Sequence, residues 1–157
     1  MVKILFICHG NICRSPMAEF VMKDMVQKAG AADDFFIASA ATSTEEIGNP
    51  VHHGTRSRLA REGISVAGKY ARQMTQRDYE EYDYLIGMDH WNLRNMQRIT
   101  GPDTDNKLSL LLDYTDRVGA DIADPWYTGN FEETYNDIVE GCTALLRNLG
   151  YEIGLRM

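Results

Sequence analysis

Near its start the sequence places a short apolar strand directly before a helix, and this order restricts the fold most. Residues 3–8, KILFIC, form a continuous apolar run, as expected of a strand covered on both faces. Ser15 and Pro16 then predict the start of a helix, with Ser15 as the N-cap and Pro16 at the first helical position. Gly30 can end this helix, after apolar residues at helical spacing, namely Ala18, Val21, Met22, Met25 and Ala29.

The same order of strand and helix recurs along the rest of the chain. Strands are predicted near 35–41, 82–88 and 107–114, and helices in part of 49–63, after Thr75, over 89–99 and after Asn130. Strands that alternate with helices imply an α/β fold in which a parallel sheet carries helices on both faces. A chain of 157 residues fits one compact domain, so a single domain over 1–157 is expected.

The last of these helices has the clearest local signals. Asn130 is its predicted N-cap and Glu133 lies three residues later, as in a capping box. Gly150 follows one apolar face, which is formed by Phe131, Tyr135, Ile138, Val139, Cys142, Leu145, Leu146 and Leu149.

Charge, hydropathy and cysteine usage narrow the classes of function. The formal net charge of -7 argues against a nucleic-acid binder, because such domains are usually basic. No apolar run approaches the roughly 20 residues that a membrane helix needs, so no membrane partner is expected. Three cysteines are too few, and odd in number, for a disulfide framework. A cytoplasmic location is therefore predicted.

The loop CHGNICRS, residues 8–15, has the composition of an anion site with a nucleophile at its floor. A loop that runs from a strand into a helix can point backbone N–H groups at a phosphate. Gly10 and Asn11 tolerate the positive φ that a tight loop needs, and Arg14 can bind two phosphate oxygens at once. The positive field favours the thiolate form of Cys8, and Ser15 could donate a hydrogen bond to its sulfur. The predicted phosphate-binding residues are His9, Gly10, Asn11, Ile12, Cys13, Arg14 and Ser15.

Other interpretations of this loop are weaker. Cys8 could be a buried residue at the end of a strand and Arg14 a solvated side chain, since a bare Cys-x5-Arg pattern often occurs by chance. The loop is not a nucleotide-binding Walker loop, because no GK[ST] follows. Cys8 and Cys13 could be metal ligands, but no second pair at zinc spacing completes a site. No metal or cofactor is predicted.

A phosphatase also needs an acid that protonates the departing oxygen and then acts as a base toward water. Asp116, Asp121 and Asp124 are the candidates in the segment after the last strand. Asp124 differs because Trp126 and Tyr127 can partly remove it from water, and such desolvation favours the neutral acid. DPW could equally be a turn before a helix, so the residues alone leave all three open.

The segment CHGNICRSPMAE resembles the signature of the low-molecular-weight protein tyrosine phosphatases. The likeness covers nearly the whole chain, and it continues in SAATS (39–43), IGNP (47–50), ARQMT (71–75), DYLIGMD (83–89) and DPWYTGNFEETY (124–135). The resemblance implies a four-stranded parallel sheet flanked by helices and hydrolysis of phosphotyrosine through a phosphocysteine, with no cofactor. It selects Cys8, Arg14 and Asp124 as the catalytic residues. The implied substrates are phosphotyrosine proteins or small aryl phosphates, and the expected state is a monomer or weak dimer.

The resemblance also implies roles for residues around the loop. Asn11 and Ser39 are expected to brace it, although Ser39 could be an ordinary small strand residue. Trp126 and Tyr127 are expected to form one wall of the substrate site, with surface anchoring as the simpler alternative. Glu46, next to Glu45, stands in the other wall where some relatives carry an aromatic residue, which disfavours acidic phosphopeptides.

Two further positions bear on regulation and support. A second loop cysteine, Cys13, implies a reversible disulfide with Cys8 under oxidation, with loop packing as the alternative. The family often has a His shortly before ARQ, but this chain reads Gly68, Lys69 and Tyr70 there. If relatives use that His in a hydrogen-bond network that supports the loop, this protein must build the network from other residues. The remaining histidines at 52, 53 and 90 are interpreted as lying on helix surfaces.

Three other functions remain as alternatives. Arsenate reductase of the same fold needs further redox cysteines, and residues 70–100 contain none. Protein-arginine phosphatases tend to carry Thr where this chain has Ile12, so Ile12 favours phosphotyrosine. A non-catalytic phosphate-binding module would not need Cys8, Arg14 and Asp124 together.

Overall fold

The computed structural model describes residues 1–151. Its sheet has four parallel strands in the order β2-β1-β3-β4, which confirms the predicted fold class. The strands are β1 (Val2–Cys8), β2 (Phe35–Ala41), β3 (Tyr84–Gly87) and β4 (Leu108–Leu110). The helices are α1 (Arg14–Lys28), α2 (His53–Ala60), α3 (Gln76–Glu81), α4 (His90–Thr100), α5 (Pro125–Thr128) and α6 (Phe131–Asn148), with 3-10 turns at Ala32–Asp34 and Leu111–Tyr114.

Side chains of the central strand β1 alternate between two apolar layers, as the period of a strand requires. Ile4 and Phe6 pack with α1 and α6 on one face of the sheet. Leu5 and Ile7 pack with α3 and α4 on the other face. Cys8 ends the strand in register with Ala41 of β2, and its carbonyl accepts from the backbone N–H of Thr42 (3.0 Å). This order places the loop after β1 at the carboxyl edge of the sheet, where α/β folds form their sites.

The start of α1 corrects one prediction. Ser15 is not the N-cap, because the helix begins at Arg14 and Cys13 occupies the cap position without a side-chain cap bond. Pro16 therefore lies at the third helical position. A backbone N–H there would have no acceptor within the helix, so the missing N–H of proline costs no hydrogen bond. The Ser15 hydroxyl instead lies 3.0 Å from the sulfur of Cys8. The side chain of Ser15 therefore makes a tertiary contact with Cys8 instead of the local cap bond that its residue type favours.

Strand β4 is also shorter than the predicted segment 107–114. The backbone N–H of Leu110 donates to the carboxylate of Asp113 (3.0 Å), and the chain turns into a 3-10 helix. The strand near 82–88 likewise narrows to Tyr84–Gly87. The predicted caps of the other helices are present: Asp78 accepts from the amide of Thr75 (2.8 Å), and Asn130 accepts from that of Glu133 (3.0 Å).

Candidate active site

The loop between β1 and α1 forms the floor of a pocket at the carboxyl edge of the sheet. Asn11 adopts a φ of 60°, the left-handed conformation predicted for the loop, whereas Gly10, named with it, does not have a positive φ. Within residues 1–151, the amides of residues 9–13 donate to no protein acceptor. Because unpaired amides beside a helix N-terminus attract anions, the loop is built to receive one. The pocket is lined by Cys8, His9, Gly10, Ile12, Cys13, Arg14, Glu45, Glu46, Asp124, Trp126 and Tyr127.

Arg14 is buried beside this pocket and held by three acceptors. One guanidinium nitrogen, Nη1, donates to Asp89 (2.7 Å) and to the carbonyl of Ile122 (2.8 Å), while Nη2 donates to Asp124 (3.4 Å). Burial alone would lower the pKa of Arg14, but the charges of Cys8 and Asp89 raise it above its usual value. The guanidinium is therefore a fixed positive charge whose orientation is set before any anion binds.

A chain of hydrogen bonds leads from a buried carboxylate to the sulfur of Cys8. Ser39 donates to Glu19 (2.5 Å), and the Asn11 amide nitrogen donates both to Ser39 (3.0 Å) and to Ser15 (2.7 Å). Each donor direction follows from the carboxylate, because a carboxylate can only accept. Ser15 thus receives a bond from Asn11, and the nearer acceptor for its own proton is the sulfur of Cys8 (3.0 Å), the other being the carbonyl of Ala40 (3.5 Å). The backbone N–H of Ser15 also donates to this sulfur (3.4 Å).

Asp124 also lines this pocket. One oxygen of the Asp124 carboxylate caps α5 by accepting from the backbone N–H of Trp126 (3.0 Å). The other oxygen accepts from Arg14. Asp121, in contrast, accepts from the ring of His90 (2.7 Å), and neither it nor Asp116 lines the pocket. Of the three aspartates that the sequence left open, only Asp124 lies beside the loop.

The model of the family described as "Low molecular weight phosphotyrosine protein phosphatase" matches residues 3–154. The chain belongs to this family. Among curated relatives, the low molecular weight protein-tyrosine-phosphatase YfkJ of Bacillus subtilis is 43% identical, over 97% of this chain and 98% of its own. The low molecular weight phosphotyrosine protein phosphatase of Gallus gallus is 40% identical, over 91% and 92%.

Solved structures of low molecular weight phosphatases have the same fold. The crystal structure of YfkJ from Bacillus subtilis superposes with a TM-score of 0.90 at 42% identity, covering 95% of this chain and 94% of that one. The structure of SP-PTP, a low molecular weight protein tyrosine phosphatase from Streptococcus pyogenes, gives a TM-score of 0.84 at 44% identity, covering 95% and 93%.

Within the stretch 68–70, where the family often has a His, Lys69 contacts the support of the loop. Its ammonium group donates to the carbonyl of Ser39 (2.8 Å) and lies 3.6 Å from Glu19. Lys23 pairs with the other oxygen of Glu19 (2.5 Å). Burial lowers the pKa of Lys69, although the charge of Glu19 opposes that shift. The carboxylate at the start of the hydrogen-bond chain is therefore neutralised by two lysines rather than by an imidazole.

The second wall of the pocket is acidic. Glu45 pairs with the ring of His9 (3.1 Å), and Glu46 accepts from the side chain of Asn49 (2.8 Å). A Cβ at Gly10 would lie 3.2 Å from Cγ of Glu46, so a glycine there lets the wall approach the loop. The ring of His9 therefore contacts the acidic wall, while its backbone N–H belongs to the loop. Trp126 and Tyr127, 57% and 84% exposed, form the opposite wall.

Cys13 is a buried neighbour of the nucleophile position. Burial, the charge of Cys8 and the charge of Asp124 raise the pKa of Cys13 to about 12, although Arg14 opposes them. The residue therefore remains a thiol at neutral pH. It also packs with Ile12 and Ala71 in a small apolar cluster, so a packing role is present whether or not the residue has a redox role.

Sequence reasoning missed two contacts that shape the site. Asp89 fixes the orientation of Arg14. The sequence feature that could have identified Asp89 is its position just after β3, because the carboxyl ends of β3 and β1 lie at the same edge of the sheet. His52 was assigned to a helix surface, but its ring caps α2 and contacts Phe131 and Trp126. No local pattern marks the aromatic contacts of His52, because Trp126 and Phe131 lie in a distant part of the chain. Among residues 1–151, no group of three or more potential ligands could hold a metal ion.

None of the helices within residues 1–151 combines the length and apolar character needed to cross a membrane.

Proposed function

We propose that this protein hydrolyses phosphotyrosine in proteins, and small aryl phosphates, through a phosphocysteine on Cys8 with Asp124 as acid and then base. One observation carries the proposal. The Cys8 sulfur, the Arg14 guanidinium and the Asp124 carboxylate share one small pocket, with Arg14 3.4 Å from Asp124. This set contains the nucleophile, the charge that binds phosphate and the proton carrier that the reaction requires.

In the first step the phosphate dianion occupies the loop, where backbone amides and Arg14 bind its oxygens. The thiolate of Cys8 attacks phosphorus in line with the departing phenol oxygen. The sulfur–phosphorus bond forms as the phosphorus–oxygen bond breaks, and Asp124 gives its proton to the phenol. Because Arg14 already has its orientation, little reorganisation is needed as charge develops on the transferred group.

In the second step Asp124, now a carboxylate, takes a proton from a water molecule that attacks phosphorus. The sulfur–phosphorus bond breaks and inorganic phosphate leaves. Cys8 departs as a thiolate, and the two donors of Ser15, its hydroxyl at 3.0 Å and its amide at 3.4 Å, stabilise the negative sulfur. The chain from Glu19 through Asn11 supports this role because it directs the Ser15 proton toward the sulfur.

The two walls of the pocket set the proposed substrate preference. Trp126 and Tyr127 can stack against an aryl ring whose phosphate lies on the loop. Glu45 and Glu46 lie across from them, so acidic residues next to the phosphotyrosine would meet like charges. Phosphopeptides without acidic neighbours are therefore the expected substrates. Action in the cytoplasm, as a monomer or weak dimer, remains part of the same proposal.

The direct test compares wild type with Cys8→Ser on a phosphopeptide panel that includes acidic and neutral flanking sequences. We expect Cys8→Ser to bind inorganic phosphate but to hydrolyse no aryl phosphate, since the serine hydroxyl is a poor nucleophile without a base beside it. Full activity of this variant would refute the assignment of the nucleophile.

The same assay separates the alternative functions. Faster hydrolysis of phosphoarginine than of phosphotyrosine would indicate an arginine phosphatase, and reduction of arsenate would indicate an arsenate reductase. Phosphate binding without any turnover by wild type would indicate a binding module.

A further inference from the structure

His52 lies just outside the pocket and connects the anion loop to the aromatic wall. Its backbone N–H donates to the carbonyl of Ile12 (2.8 Å), which belongs to the loop. Its ring meets that of Trp126 edge to face, with centroids 5.5 Å apart and planes at 73°. His52 therefore holds a fixed place relative to the phosphate-binding residues and touches the wall that would contact the substrate ring.

The Trp126 ring needs such a neighbour. It is 57% exposed, and it belongs to α5, which is only four residues long. The cap from Asp124 fixes the Trp126 backbone but not the direction of its ring. An edge-to-face partner favours one ring orientation, because aromatic pairs prefer this geometry.

The ring of His53 stacks on the His52 ring, with centroids 4.3 Å apart, and two further contacts orient the His52 ring. Its Nδ1 accepts a hydrogen bond from the backbone N–H of Gly54 (3.0 Å) at the start of α2. Its face stacks on Phe131, with centroids 5.3 Å apart and planes at 15°. Phe131 cannot move toward α2, since even a Cβ at Gly54 would lie 2.3 Å from its ring.

The bond from Gly54 requires a neutral His52 ring, because a protonated imidazole has no acceptor. Burial and the nearby charges of His53 and Arg56 lower the pKa of His52, while Glu46 opposes them. The ring therefore remains neutral at neutral pH and keeps its cap contact.

We propose that His52 is a positioning residue that sets the angle of Trp126 against the ring of an aryl phosphate. The inference rests on the proposed function, since it concerns the same pocket. His52 touches no reacting atom, and it acts only through Trp126. Its effect is confined to the stage at which the aryl group is bound, because the phosphocysteine is hydrolysed after the phenol has left.

Two substitutions separate the ring of His52 from its cap. His52→Asn keeps an N-cap acceptor but removes the ring. We expect its KM for phosphotyrosine to rise about 3- to 10-fold, the scale of one aromatic pair, with kcat within about twofold. His52→Phe keeps a ring but removes the acceptor, and we expect a lower Tm with KM close to that of wild type.

Inorganic phosphate, a competitive inhibitor that reaches only the loop, reports whether the loop itself has changed. Its Ki should be the same in wild type and in His52→Asn. Phe36→Asn is the control, because it removes an exposed ring from the aromatic pair with Tyr82 (centroids 6.1 Å apart), and neither of these residues lines the pocket. Its KM and Ki should match those of wild type.

Three results would overturn the inference: an unchanged KM in His52→Asn, a Ki for phosphate that rises together with KM, or a His52→Phe variant with as high a KM as His52→Asn. If wild type failed to hydrolyse phosphotyrosine, the proposed function itself would fail. Turnover by wild type with an unchanged KM in His52→Asn would refute the positioning role alone.

Discussion

Asn11→Ala is the substitution that most clearly probes the support beneath the nucleophile. The Asn11 side chain is 1% exposed and takes part in three hydrogen bonds. It donates to Ser15 and to Ser39, and it accepts from the backbone N–H of Arg72 (3.2 Å). The residue also has a φ of 60°, where alanine is less favourable than asparagine.

The expected loss of stability follows from these contacts. Three net hydrogen bonds at about 1 kcal/mol each, plus about 1 kcal/mol for the positive φ, give about 4 kcal/mol. For a chain of this size that loss lowers Tm by roughly 8 to 16 °C. Because Ser15 loses the donor that fixes its direction, kcat for an aryl phosphate should also fall, by about 10-fold.

Asn106→Ala is the matched control. Asn106 is the other described non-glycine residue with positive φ (55°), and it is exposed. Its replacement should cost only the backbone part, about 1 kcal/mol, with no change in kcat. Urea denaturation and steady-state kinetics of both variants measure the difference. Equal loss of stability in the two variants would refute the reasoning, since the hydrogen bonds of Asn11 would then contribute nothing.

Three further predictions concern other parts of the site. Asp124→Ala should lower kcat for phenyl phosphate about 10²- to 10⁴-fold, and a wild-type rate would place the acid elsewhere. Burial lowers the pKa of Lys69 in the folded protein, so between that lowered pKa and 10.5 the unfolded chain binds more protons than the folded one. Lys69 therefore makes the free energy of unfolding rise with pH in this alkaline range. Urea denaturation at several pH values should show a smaller rise for Lys69→Met than for wild type, and an equal rise would contradict the prediction. In peroxide, Cys8 should form a sulfenic acid that condenses with the Cys13 thiol, releasing water, and peptide mapping should find the Cys8–Cys13 link; absence of this link from wild type whose activity nevertheless recovers with reductant would argue against this route.

Local sequence patterns predicted most of the architecture. The apolar run of β1, the start of the anion loop and the capped α6 each have signals within a few residues, and all are present in the structure. The end of β4 was not predictable in the same way. The apolar segment 107–114 continues past the strand, and the turn depends on how Asp113 meets the amide of Leu110.

The contacts that complete the site join residues far apart in the chain. Ser15 has the local preference of an N-cap, but its hydroxyl lies between Asn11 and Cys8 because the loop folds over it. Asp89 reaches Arg14 across 75 positions, so no spacing rule could pair them. The resemblance to the family named the catalytic residues and the bracing residues Asn11 and Ser39, whereas the contacts of Asp89 with Arg14 and of Glu19 with Ser39 became visible only in three dimensions.

The central claim is that the phosphoryl group passes through the sulfur of Cys8. The most direct measurement uses Asp124→Ala with p-nitrophenyl phosphate, whose good leaving group needs little help from an acid. Because the second step then lacks its base, the covalent intermediate should accumulate and survive a rapid acid quench. We predict that mass spectrometry finds one phosphate on the peptide that contains Cys8, bound through sulfur. Phosphate on another residue, or release of p-nitrophenol with no covalent phosphate at any time point, would contradict the account.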